Sequence, residues 1–253
     1  KVNRVLDKMN LDFVKSEAEE AVVEEKKIEE MDVVFLMDRF GYAKTVDVSV
    51  YERNKEAADT ENRYILTCKN TDKICIFTNK GQMHLLKVLD LPYGKFRDKG
   101  IPIDNLSNYN SSEENFIYII NLGAIIHSGL LFGTKTAMLK MVDGSEFDVA
   151  KRTTASTKLN EDDELLIVHA MTGEETVVMQ SEKEMFLRIE ASTIPEKKKG
   201  AVGVRGMKLN AGDALSNIYV LDGESEQTVE VKGKEVVLNR LRVGNRDTKG
   251  TKR

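Results

Sequence analysis

Apolar residues in this chain come in short runs, each stopped by a polar or glycine-containing turn and answered by a second run of the same kind. The first pair is Val33-Val34-Phe35-Leu36-Met37 and Tyr42-Ala43-Lys44-Thr45-Val46, joined by Asp38-Arg39-Phe40-Gly41. Short runs rich in β-branched and aromatic residues, bounded by turn formers, predict β-hairpins. Four more pairs follow. Lys73–Thr78 meets Gln82–Lys87 across Asn79-Lys80-Gly81, and Leu130–Thr134 meets Met138–Val142 across Lys135-Thr136-Ala137. Thr176–Gln180 meets Met185–Ile189 across Ser181–Glu184, and Thr228–Val231 meets Val236–Arg240 across Lys232–Glu235. With Gly41, Gly81, Ala137, Glu184 and Glu235 as equivalent anchors, the period is roughly 40 to 56 residues, the range of propeller-type arrays.

A second landmark recurs with the first. A polar loop and an apolar closing strand follow four of the hairpins: Tyr64–Leu66, Phe116–Ile120, Leu165–Val168 and Ile218–Leu221. Two of these follow an acidic turn, Asp162-Asp163 and Gly212-Asp213. The pattern predicts an all-β, propeller-like disc of about five four-stranded blades over residues 31–253, the last incomplete. One such unit cannot bury both faces of its small sheet, whereas stacked units can. Two unrelated sandwiches would not repeat both landmarks in order. Residues 1–30 differ: Ala18, Glu19, Glu20, Ala21, Glu24 and Glu25 form an acidic, helix-favouring stretch, expected as a helical or irregular connector. The start at Lys1, without an initiator methionine, leads us to expect a piece of a longer protein.

Composition narrows the function classes. No apolar run approaches the roughly 18 residues of a transmembrane helix, and no signal-peptide core opens the chain. Cys68 and Cys75 lie in strand-like runs and read as reduced core residues, which fits a cytoplasmic protein. There is no Walker A pattern, no nucleophile elbow and no paired-histidine zinc motif. His84, His127 and His169 are scattered without metal-ligand spacing, so neither metal nor cofactor is expected. The net charge of −4 argues against nucleic acid at first sight. Residues 1–31 carry 9 acidic against 6 basic side chains, leaving a nearly neutral body. Such a body binds phosphates if its cations share one surface.

The blocks Asp38-Arg39-Phe40-Gly41-Tyr42-Ala43-Lys44, Phe77-Thr78-Asn79-Lys80-Gly81, Phe132-Gly133-Thr134-Lys135 and Gly203-Val204-Arg205-Gly206-Met207-Lys208-Leu209 resemble blade motifs of a known family. It is that of the C-terminal domains of gyrase A and topoisomerase IV A proteins, and the resemblance covers roughly residues 31–253. It implies a β-pinwheel, in which four-stranded blades exchange strands and double-stranded DNA lies around the outer rim. It implies a nucleoid-associated domain of an ATP-dependent type II topoisomerase. The partners would be the ATPase B subunit and the upstream breakage-reunion domain of the same subunit. The catalytic tyrosine and the ATPase would lie outside this chain, so Tyr42 is read as a strand residue and the domain as non-catalytic. The glycine-rich Gln-Arg-Arg-Gly-Gly box that marks gyrase A domains is absent. Its nearest counterparts, Lys95-Phe96-Arg97-Asp98-Lys99-Gly100 and Arg246-Asp247-Thr248-Lys249-Gly250, insert an aspartate. The resemblance therefore leans toward the topoisomerase IV A type.

Binding DNA without reading sequence requires cations spaced along a surface, with small residues that admit phosphates. The candidates are Lys95, Arg97 and Lys99 beside Gly94 and Gly100; Lys197, Lys198 and Lys199 before Gly200; and Arg205 and Lys208. To these are added Lys80 and Lys135 in hairpin turns, Lys151 and Arg152, and Arg246 and Lys249 in the strongly basic tail. Lys44, Lys140 and Arg188 sit at comparable offsets in second hairpin strands and are expected to recur around the rim. The competing reading is a protein-interaction propeller that presents loops to a peptide or protein, although Trp-Asp and kelch signatures are missing.

Overall fold

The computed structural model describes residues 27–253. Most of the connector expected over residues 1–30 lies outside the described residues; 27–30 carry no regular structure and are exposed. Residues 32–253 form one compact unit.

The unit is built of successive small sheets. Blade 1 orders β3 (Tyr64–Lys69), β1 (Asp32–Met37), β2 (Tyr42–Asp47) and β6 (Tyr93–Gly94), with β7 (Ile101–Pro102) also on β2. Blade 2 orders β8 (Phe116–Asn121), β4 (Lys73–Thr78), β5 (Gln82–Lys87) and β11 (Thr153–Ala155). Blade 3 orders β12 (Leu165–Met171), β9 (Gly129–Thr134), β10 (Met138–Asp143) and β15 (Val204–Arg205). Blade 4 orders β16 (Leu215–Leu221), β13 (Thr176–Ser181), β14 (Met185–Glu190) and β19 (Thr251–Lys252). The fifth sheet holds only β17 (Thr228–Val231) and β18 (Lys234–Val237).

In every four-stranded blade the outermost strand comes from the segment that follows the next blade's hairpin. We call these segments straps. They begin at the 3-10 turns Val88–Asp90, Gly144–Phe147, Ala191–Thr193 and Leu238–Arg240. Each strap ends antiparallel to the preceding blade, with the pairs Tyr42↔Pro102, Gln82↔Ala155, Met138↔Arg205 and Met185↔Lys252. Those pairs fall one residue after the left-handed turn positions Gly41, Gly81, Ala137 and Glu184, which confirms four of the anchors. The fifth anchor is Gly233, φ +75, rather than Glu235, because β18 starts at Lys234.

Alternating side chains face opposite neighbours, the period-2 geometry of a strand. Phe35 and Met37 pack against Ile74 and Ile76 of blade 2, whereas Val34 and Leu36 face away. Phe77 meets Phe132 and Phe147 in edge contacts between blades 2 and 3, at 6.0 and 5.0 Å between ring centres. Leu131 and Met179 join blades 3 and 4, and Val178 and Leu238 join blade 4 to the fifth hairpin. The first strand of each full hairpin is covered on both faces, which is why its sequence reads as a continuous apolar run. Among the described residues, no blade precedes blade 1 to receive a strap. Its β2–β3 connection instead forms two short helices, Val48–Arg53 and Lys55–Glu61, the first capped by the Asp47 carboxylate. Val48, Tyr51 and Ala58 from them cover the free face formed by Val34, Leu36 and Val46. Cys68 and Cys75 are free and buried, and burial pushes their thiols up to about 11 and 12, so both are unreactive core residues.

Candidate nucleic-acid interface

Strand exchange gives each of the four full blades an outer edge made by a strap, and the basic loops lie in these straps. Lys95, Arg97 and Lys99 stand on the edge of blade 1, and Lys151 and Arg152 on that of blade 2. Lys197, Lys198, Lys199 and Arg205 stand on blade 3, and Arg246 and Lys249 on blade 4. Residues far apart in sequence thus occupy one repeated position, four times in succession. Lys95, Arg97, Lys99, Lys151, Lys197 and Lys249 are exposed. An exposed cation on a loop edge keeps its charge available to a phosphate.

Other candidates are tied within the protein. Lys80 and Lys135, both in hairpin turns, share the Glu164 carboxylate at 3.0 and 2.6 Å, and the bond from Lys135 is foremost in holding that carboxyl below its ordinary range. Arg205 is clasped by Asp247, which lowers the Asp247 carboxyl and raises the guanidinium. Arg246 donates to the Thr193 and Arg205 carbonyls. Lys199 donates to the Glu146 carbonyl and the Thr154 hydroxyl. Lys208 is exposed beside the last strap, where its amide donates to the Thr248 carbonyl. Asp98 accepts from the Lys95 amide at 2.8 Å and so shapes the first basic loop from within.

The recurrence of Lys44 and Lys140 has a different meaning from the one expected. Lys140 is 1% exposed, and its ammonium donates to the carbonyls of Lys198, Lys199 and Ala201. Burial pushes its pKa down to about 8. It is an internal latch for the strap on blade 3, not a rim cation. Lys44 does the same on blade 1, donating to the carbonyls of Phe96 and Asp98. On blade 2 His84 occupies the position, between Thr153 of the strap at 2.8 Å and Glu114 at 2.7 Å. Arg188 lies one residue further along its strand and holds the Asn239 and Leu241 carbonyls of the last strap. Sequence reasoning missed Arg242, Lys252 and Arg253 on that strap. Their counterparts in the earlier straps were the available signal.

Comparison with known proteins bears on this architecture. A family model described as the DNA gyrase C-terminal domain, beta-propeller, matches residues 130–170 and 175–222, which are blades 3 and 4 from hairpin to closing strand. The DNA gyrase A protein of Staphylococcus epidermidis is 29% identical over 251 residues, 92% of this chain and 28% of that one. The chain is similar to the gyrase A C-terminal domain family over these two blades, and to DNA gyrase A proteins over most of its length. The DNA gyrase A protein of Lawsonia intracellularis is 27% identical over 89% of this chain and 30% of its own length. The chain therefore spans less than a third of the curated relatives it matches. Among solved structures, the C-terminal domain of a DNA topoisomerase IV superposes with a TM-score of 0.78 at 22% identity, covering 88% of this chain and 73% of the other. A DNA gyrase A C-terminal domain gives 0.58 at 17% identity, covering 87% and 76%. The fold is the β-pinwheel expected from the sequence.

Proposed function

We propose that this domain binds duplex DNA along its strap edge, independently of sequence, and bends it as a non-catalytic module of a type II topoisomerase. The observation that carries the reading is the return of exposed cations in the straps of four successive blades. Bending stiff duplex costs several kcal/mol, and cations at blade intervals offset that cost by neutralising the phosphates on the inside of the curve. Within the whole enzyme, nucleoid-associated and cytoplasmic, the partners are the upstream breakage-reunion domain and the ATPase B subunit. Asp98 and Asp247 lower the net charge of the two loops nearest in pattern to the gyrase box. This favours a topoisomerase IV-type module that wraps DNA incompletely.

A salt titration of binding to a short duplex of arbitrary sequence tests the reading. Affinity falls steeply and log-linearly with salt, with a slope near −0.9 per phosphate contact. Affinity indifferent to salt, or confined to one sequence, refutes it.

A further inference from the structure

The repeat makes one strap unlike the others. Parallel bridges align the second strands through Thr45↔Tyr93, Met141↔Glu196 and Arg188↔Val243. The residue before each bridge is therefore Lys44, Lys140 and Leu187. The turn anchors give the same alignment, each of the three lying three residues after its left-handed position, Gly41, Ala137 or Glu184. On blades 1 and 3 the lysine fills the strap loop and satisfies its carbonyls. On blade 4 the side chain is an apolar leucine packed into the core shared with blade 3.

The last strap loop, which has no such lysine, encloses a hollow. A cavity of about 330 Å3 lies between β14 and residues 241–253. Arg188, Arg242, Lys249 and Arg253 line it, with Asn245, Thr248 and Thr251, and no acidic residue does. The strap from 238 to 253 carries six basic residues against one acidic, Asp247, and that carboxylate is clasped by Arg205. Four cations around a water-accessible hollow, of which Arg188 is already turned to the strap carbonyls, attract an oxyanion, and neighbouring amide and hydroxyl groups are the kind that seat one.

We infer that this cavity is an oxyanion site that takes one backbone phosphate of the bound duplex, where the other straps offer only exposed cations. The inference rests on the DNA-binding reading for its ligand, and free phosphate shares the same chemistry.

The test supplies the lysine that blade 4 lacks. In Leu187→Lys the new ammonium occupies the loop as Lys140 does, closes the hollow and adds one positive charge to the domain. Inorganic phosphate is titrated at constant ionic strength against chloride and followed by phosphorus NMR, and duplex binding is measured alongside. The expected wild-type result is saturable phosphate binding and competition with duplex beyond that of chloride. Leu187→Lys loses the phosphate signal and binds duplex more weakly despite its added charge, with a salt slope shallower by about 1. The double variant Arg242→Ala, Lys249→Ala keeps the core intact and loses phosphate binding as well, so the site remains testable if Leu187→Lys does not fold. Lys151→Ala, on another strap, lowers the duplex slope and leaves phosphate saturation unchanged. Phosphate that behaves as chloride does, or Leu187→Lys binding duplex as well as wild type, overturns the site while DNA binding stands. Saturable phosphate in a domain that binds no duplex overturns the DNA reading and leaves a site for free phosphate.

Discussion

Replacing Lys140 by methionine keeps the apolar stem and removes the ammonium that latches the strap of blade 3. Three hydrogen bonds go with it, at 3.2, 3.1 and 2.6 Å. Hydrogen bonds to a charged group contribute about 1.5–3 kcal/mol each when their partners stay buried. Here Lys198 is exposed and Lys199 and Ala201 are partly so, which lets water reach the freed carbonyls. A loss of about 1 kcal/mol per bond, or roughly 3 kcal/mol in all, is the expected cost. For a domain of this size that lowers Tm by about 6–12 °C. Urea unfolding followed by circular dichroism measures it, since the chain has no tryptophan. The pH dependence supplies a second reading with a fixed sign. Folded Lys140 releases its proton near 8, whereas an unfolded lysine holds it to about 10.4. Between those values the unfolded chain binds more protons, so wild type gains stability over Lys140→Met as pH rises, and below 8 the gap is flat. A cost under about 1 kcal/mol would refute the latch, and a gap that narrows above pH 8 would refute the lowered pKa.

Three further outcomes follow from the straps and their supports. Asp247 sits at φ +62, a conformation that glycine adopts more readily, so Asp247→Gly should leave thermal stability within about 1 kcal/mol, free Arg205 and tighten duplex binding in a filter or gel assay. Asp98→Gly should not match it, because the Lys95 amide loses its acceptor and the first loop loosens, which faster amide exchange at Lys95 would reveal. A Cβ on Gly144 would stand 1.8 Å from the Ile125 carbonyl oxygen, so Gly144→Ala should destabilise by more than about 3 kcal/mol in the same urea experiment. The purified chain should neither hydrolyse ATP nor cleave plasmid, as a phosphate-release assay and an agarose gel would show.

What the sequence made legible follows from where burial falls. The hairpins read correctly because β1, β4, β9 and β13 are buried on both faces and leave continuous apolar runs. The strap strands were invisible to the same reasoning. They are two or three residues long, too short to form an apolar run, and each pairs with a blade one repeat back, so no local period marks them. The helices over Val48–Arg53 and Lys55–Glu61 hid in a segment read only as a polar loop, since between them they bury only Ala58. At the site the basic loops were legible in the sequence as separate clusters, but their equivalent placement emerged only with strand exchange. Lys140 shows the limit of recurrence as a signal. A lysine repeated at one offset marks a repeated environment, and here that environment is a set of backbone carbonyls inside the blade.

The claim that one duplex runs along four straps is tested most directly by site-specific crosslinking. Cys68 and Cys75 are buried, with thiols pushed up to about 11 and 12, so a photoactivatable label attaches only to an introduced cysteine. Single cysteines are placed at Arg97, Lys151, Lys197 and Lys249, one on each strap, and at Glu224 as an exposed control in the turn before β17. With a duplex long enough to span the blades, the account predicts crosslinks from all four strap positions, at sites that advance in order along the DNA, and none from Glu224. Crosslinks from Glu224 equal to those from the straps, or strap crosslinks without order along the duplex, would contradict it.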